Sequence, residues 1–84
     1  MILKPNQSLD ITSEKCPMTF VKTKLALERM GLGEVLEVFL QGKEPLENVP
    51  RSVRDYGYNI LHFAPEAGED PTVGRHRLVI EKSL

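Results

Sequence analysis

The chain has 84 residues with 11 basic and 12 acidic side chains, two histidines and one cysteine, giving a formal charge of −1. That length bounds it to one domain, residues 1–84, with a modest core, and 40% hydrophobic with 27% charged residues excludes a disordered chain. The near-zero charge gives no footing for nucleic acid or an anionic membrane as the main partner, a lone cysteine excludes an internal disulfide, and no apolar run reaches membrane-spanning length.

Residues 1–8 read as a lead-in, because Pro5 and Asn6 oppose regular structure. Residues 9–12 alternate, with Leu9 and Ile11 on one face, and predict a strand. Residues 13–15 lead into a helix predicted over 17–30 and stopped by Gly31 and Gly33. A second strand is expected over 34–41, with Leu36, Val38 and Leu40 facing one way and Val35, Glu37 and Phe39 the other. Residues 42–47 read as a turn containing Pro45. A second helix is expected from about residue 49, with Asn48 as its cap, Pro50 in its first turn, an apolar stripe of Leu46, Val49, Val53 and Tyr56, and Gly57 as its end. Strands over 58–64 and 76–82, the latter with Leu78 and Ile80 on one face, flank a polar connection holding Glu66, Glu69 and Asp70, which reads as a solvated loop.

The order βαβαββ predicts an α+β fold, a two-layer sandwich with two helices on one face of a four-stranded mixed sheet and right-handed crossovers. The open face, with Val35, Glu37 and Phe39, is apolar enough for a weak homodimer, although scattered surface hydrophobes are common on monomers.

The stretch of most chemical interest is Ser13 to Thr19, S-E-K-C-P-M-T. Proline suits the first helical turn and pushes the residue before it out of helical geometry. Cys16 is therefore expected at or near the N-cap, with Pro17 as the first helical residue. A thiol there would meet unpaired N–H groups and the positive end of the helix dipole, with Lys15 adding a charge. It should titrate below the ordinary ~8.5 of a free cysteine. The competing reading is a buried, inert cysteine. The helix after it is apolar on two sides. Phe20, Thr23, Ala26, Leu27 and Met30 would pack on the sheet, while Met18, Val21 and Leu25, interleaved with Lys22, fall nearly opposite. That second set either packs on the second helix or docks a partner.

The chain resembles the TusA/SirA family of small sulfur-carrier proteins. The Leu9-Asp10 pair, Cys16-Pro17, Glu44-Pro45, Val49-Pro50 and Gly57-Tyr58 follow the family pattern in order and spacing from Leu9 to Lys82. Ser13 replaces the usual loop glycine, Thr19 the second proline, and Lys43-Glu44 a pair of acidic residues. The resemblance implies that Cys16 accepts sulfane sulfur as a persulfide. The donor would be a cysteine desulfurase or a rhodanese-type protein, the acceptor a DsrE-like or other protein. The sulfur would serve tRNA thiolation, molybdenum cofactor or sulfur-oxidation pathways. Pro17, Asp10 and Lys15 would support Cys16, and Met18, Val21, Lys22 and Leu25 would dock the partner. The other reading is a non-catalytic regulatory or binding module that docks through the first helix.

Other candidates are weaker. An Asp near a strand end, as Asp10 is, more often bonds local backbone N–H groups than tunes a neighbouring loop. Lys15, Lys22, Arg51 and Arg54 form either a rim for an acidic partner or ordinary solvated faces. His62 and His76 with Cys16 lack the close spacing of a zinc site, so no metal and no cofactor is expected. No basic segment followed by a long apolar run opens the sequence, and a cytoplasmic protein is expected.

Overall fold

The structure, a computed structural model, describes residues 5–15 and 17–83. Six elements follow one another: β1 (Gln7–Asp10), α1 (Met18–Glu28), β2 (Val35–Leu40), α2 (Lys43–Asp55), β3 (Asn59–Pro65) and β4 (His76–Glu81). The sheet order is β1-β2-β4-β3, with β1 parallel to β2 and β4 antiparallel to both its neighbours. This is the expected mixed four-stranded sheet in an α+β fold.

Register places Leu9, Val38, Leu78 and Phe63 in one row across the sheet, and Leu36, Ile80 and Ile60 in the next. These rows face the helices. Leu36, Val38, Leu40, Leu78 and Ile80 are fully buried with Leu27 of α1 and Val49 and Val53 of α2. Each such side chain removed from water contributes about 1.5–3 kcal/mol, which is what holds two short layers together.

The first strand starts earlier than the alternation suggests. Asn6, read as a breaker, is a staple: its N–H donates to the Val35 carbonyl at 2.8 Å, and its side-chain oxygen accepts from the Val35 N–H at 2.7 Å. Strand geometry ends at Asp10, whose carboxylate takes the Thr12 N–H at 2.9 Å and the Thr12 hydroxyl at 2.7 Å and turns the chain.

The largest correction concerns α2. It begins at Lys43, six residues before the expected start, so the predicted turn over 42–47 is mostly helix. Gly42 turns the chain in at φ 96°, a conformation that strains any residue with a Cβ. Pro45 falls in the first turn, where a missing N–H costs nothing, and Leu46 makes the first bond back to Gly42 at 3.1 Å. Pro50 therefore lies inside the helix, at a cost of about 3 kcal/mol. Burial of Leu46, Val49, Pro50 and Val53 offsets it. Asn48, read as the cap, is mid-helix and accepts a hydrogen bond from Arg51 at 2.7 Å.

Tyr56 ends α2 half-exposed rather than in the core stripe. Its ring lies 5.4 Å from that of Phe20, with the Lys24 ammonium 4.6 Å from the ring centre. The two helices meet there.

The open face is less apolar than its sequence. Glu37 pairs with Arg77 and accepts a hydrogen bond from the Ser8 hydroxyl. The Arg75 guanidinium lies 4.4 Å from the centre of the Phe39 ring. Phe39 is therefore half-covered by the chain's own Arg75, and Val35 is half-buried.

Candidate functional site

The connection from β1 to α1 lies at the C-terminal ends of both parallel strands. Ile11 anchors it: its side chain is buried and its N–H donates to the Phe39 carbonyl at 2.9 Å. Glu14 bonds back to the Ile11 carbonyl at 3.1 Å, and its carboxylate pairs with Lys22 of α1 at 3.0 Å. Lys22, expected in the docking strip, is thus tied to the loop. Such an exposed pair contributes roughly 0–1 kcal/mol, enough to bias a loop but not to fix it.

Cys16 lies outside the described residues, so its geometry is not described; its neighbours Lys15 and Pro17 are. Pro17 occupies the cap position rather than the first helical position, with φ −89° and ψ 2°. Lys15 is exposed, and its carbonyl accepts from the N–H groups of Met18 at 2.8 Å and Thr19 at 3.3 Å. Two donors that the sequence reading left open to a thiolate are therefore engaged. Thr19 stands where the family pattern has a proline, and a proline there would have no N–H to give. Thr19 and Thr23 are fully buried, with the Thr23 hydroxyl donating to the Thr19 carbonyl at 2.8 Å.

Asp10 acts on the loop through Thr12. The hydroxyl and N–H of Thr12 hold its carboxyl below the ordinary 3.8, and the positive charge of Arg75 adds to this. A carboxyl depressed in the folded state stabilises above its unfolded pKa and loses that contribution as pH falls through the folded value. Asp10→Asn keeps the acceptor oxygen and removes the charge. The variant should melt below the parent at neutral pH, and the gap should close as acid titrations pass below 3.8. A gap that persists in acid would show that the charge is not responsible.

The two apolar sides of α1 are now distinct. Thr23, Leu27 and Met30 are buried, and Phe20 and Ala26 pack against the core. Met18, Val21 and Leu25 are exposed at 44%, 37% and 46%, and the contact with α2 is made by Phe20 and Lys24 instead. Leu25 also borders a groove of about 280 Å³, shared with Gln7, Leu9, Lys22, Ala26 and Arg29.

Several site-proximal residues carried no site signal in the sequence, Lys43, Glu44 and Pro45 being marked only by the family pattern. Gln41, Lys43, Glu44 and Pro45 join Glu14 and Lys15 around an open depression of about 520 Å³. The β3–β4 loop reaches the same end of the molecule, where Gly42 donates to the Val73 carbonyl at 2.9 Å. Its acidic residues are structural rather than merely solvated. Glu69 accepts from the Arg75 N–H at 2.8 Å, and Asp70 takes both the N–H and hydroxyl of Thr72. Gly74 admits the fold of this loop, because a Cβ there would lie 2.6 Å from the Asp70 nitrogen. The repeated Asp-x-Thr spacing at 10–12 and 70–72 was the available signal. Arg54 is exposed. His62 is exposed and lies in register with Val79, whereas His76 is buried on the other face with its Nδ1 2.8 Å from the Gly74 carbonyl. The two histidines cannot share a ligand.

The sequence profile of the family described as Sulfurtransferase TusA matches residues 7–82. The chain belongs to the TusA family. It is 41% identical over 76 residues to a candidate sulfur carrier protein of Methanocaldococcus jannaschii, covering 90% of this chain and 93% of the relative. Against the candidate sulfur carrier protein YedF of Escherichia coli it is 32% identical over 78 residues, covering 93% and 94%. A SirA-like protein from Desulfitobacterium hafniense superposes with a TM-score of 0.74 at 19% identity, covering 93% of this chain and 99% of that one. That likeness is one of fold, the same two helices on a four-stranded mixed sheet. Family membership makes this a sulfur-carrier type of chain. Among the described residues, no helix is long and apolar enough to cross a membrane.

Proposed function

We propose that the chain is a cytoplasmic sulfur relay protein that carries sulfane sulfur as a persulfide on Cys16. The observation that carries this reading is the coincidence of TusA family membership with a lone cysteine immediately before Pro17 and the start of α1. The Cys16 thiolate attacks the outer sulfur of a donor persulfide. A new S–S bond forms to Cys16, the donor's S–S bond breaks, and the donor thiolate leaves. An acceptor thiolate then takes the same outer sulfur and Cys16 thiolate leaves. No second cysteine exists to release the sulfur internally, so each step needs another molecule. A cysteine desulfurase or rhodanese-type protein serves as donor and a DsrE-like or other protein as acceptor. The pathway is tRNA thiolation, molybdenum cofactor synthesis or sulfur oxidation.

In this reading Asp10 and Lys15 shape and charge the loop, and the exposed strip of Met18, Val21 and Leu25 contacts the donor. Incubation with a cysteine desulfurase, cysteine and pyridoxal phosphate, or with a rhodanese and thiosulfate, should raise the intact mass by one sulfur atom. Cys16→Ser should gain none. An equal gain in the serine variant would overturn the assignment, and no gain with any donor would leave a binding module.

A further inference from the structure

We infer that the depression between the β1–α1 connection and the first turn of α2 receives a carboxylate-bearing segment of the partner protein, held between Lys15 and Lys43. This deepens the relay reading by naming what the partner presents, and depends on that reading only for the partner's role.

The depression, about 520 Å³, is lined by Glu14, Lys15, Gln41, Lys43, Glu44 and Pro45. Its two cations come from different segments. The Glu14 charge is answered by Lys22. The ammonium groups of Lys15 and Lys43 have no ion pair or hydrogen bond to a described residue. Glu44 is the remaining carboxylate, and it sits in the first turn of α2, where the positive end of the dipole compensates it. Lys43 occupies the same turn, against the dipole, so local helix energetics give no reason for it.

The balance at this rim is therefore positive, next in sequence to Cys16. A carboxylate segment fits two spaced ammonium groups. A nucleic-acid backbone fits poorly, since phosphate binding draws on a longer run of cations than these two.

The test uses the full chain, isotope-labelled, with hexaglutamate as the probe and its binding read from backbone amide shifts at low salt. Hexaglutamate should move the resonances of Lys15, Gln41, Lys43 and Glu44. Lys15→Glu and Lys43→Glu should each weaken binding by about threefold to tenfold, as expected for reversing one exposed charge. About 0.3 M salt should abolish it. Thermal melts of both variants should match the parent.

Shifts confined to other surfaces, or undiminished in the double variant, would overturn the inference. So would equal shifts from free acetate at the same carboxylate concentration, or tighter binding of oligothymidylate at the same residues. Cys16→Ser should bind hexaglutamate as the parent does. A failed persulfide assay therefore leaves this result standing, and a failed peptide titration leaves the persulfide result standing.

Discussion

Truncating Leu27 to alanine should destabilise the protein by about 2–5 kcal/mol, whereas the same change at Leu25 should cost less than about 0.5 kcal/mol. Both leucines lie on α1, two positions apart. Leu27 is fully buried among the sheet and helix side chains, while Leu25 is 46% exposed. At Leu27 the loss combines the transfer free energy of the deleted methyls with a cavity that the surrounding layer fills only in part. At Leu25 water already reaches the side chain, and alanine's better helix propensity offsets part of the small loss. A domain of this size has a total stability of roughly 5–15 kcal/mol. Leu27→Ala should therefore lower the denaturation midpoint strongly without altering the dependence on denaturant. Equal effects at the two positions would mean that α1 is rotated relative to the structure described.

Val21→Glu should leave the fold intact and slow sulfur acceptance from a protein donor by about thirtyfold, the consequence of losing a central apolar contact in a docking surface. Val21 is 37% exposed between Met18 and Leu25, so a carboxylate there stays hydrated and does not incur the penalty of a buried charge. Alkylation of Cys16 by iodoacetamide should proceed at nearly the parental rate, because a small reagent needs no docking. A melt close to the parent's, with transfer slowed and alkylation preserved, identifies the strip as a docking surface. Unchanged transfer would remove Met18, Val21 and Leu25 from the interface, and a collapsed melt would show that the strip is packed after all.

The sheet was largely legible from residue pattern. Leu36, Val38 and Leu40 alternate with Val35, Glu37 and Phe39, and a period of two can be satisfied only by a strand with one buried face. The first helix was legible with its sheet-facing side, Phe20, Thr23, Ala26, Leu27 and Met30, and what stayed open was whether Met18, Val21 and Leu25 on the other side pack on the second helix. The start of α2 was misplaced. Pro45 and Pro50 are equally good start signals, and only the buried stripe through Leu46 and Val49 selects the earlier one.

What sequence alone determined is the order of the elements, the set of residues able to form a core, and Cys16 as the one candidate nucleophile, since these depend on local periodicity and composition. Family membership was legible for the same reason: the Leu-Asp, Cys-Pro, Val-Pro and Gly-Tyr pairs are local. Tertiary structure alone decided that the second side of α1 stays uncovered, because α2 meets α1 at Phe20 and Lys24 and leaves Leu25 in water. It likewise brought Lys43 to Lys15 across a depression, since residues 28 positions apart meet only when two strands pair in parallel and turn their C-terminal ends to the same edge. Charge matching of that kind is a property of distances, and distances between remote residues are set by packing, not by local sequence.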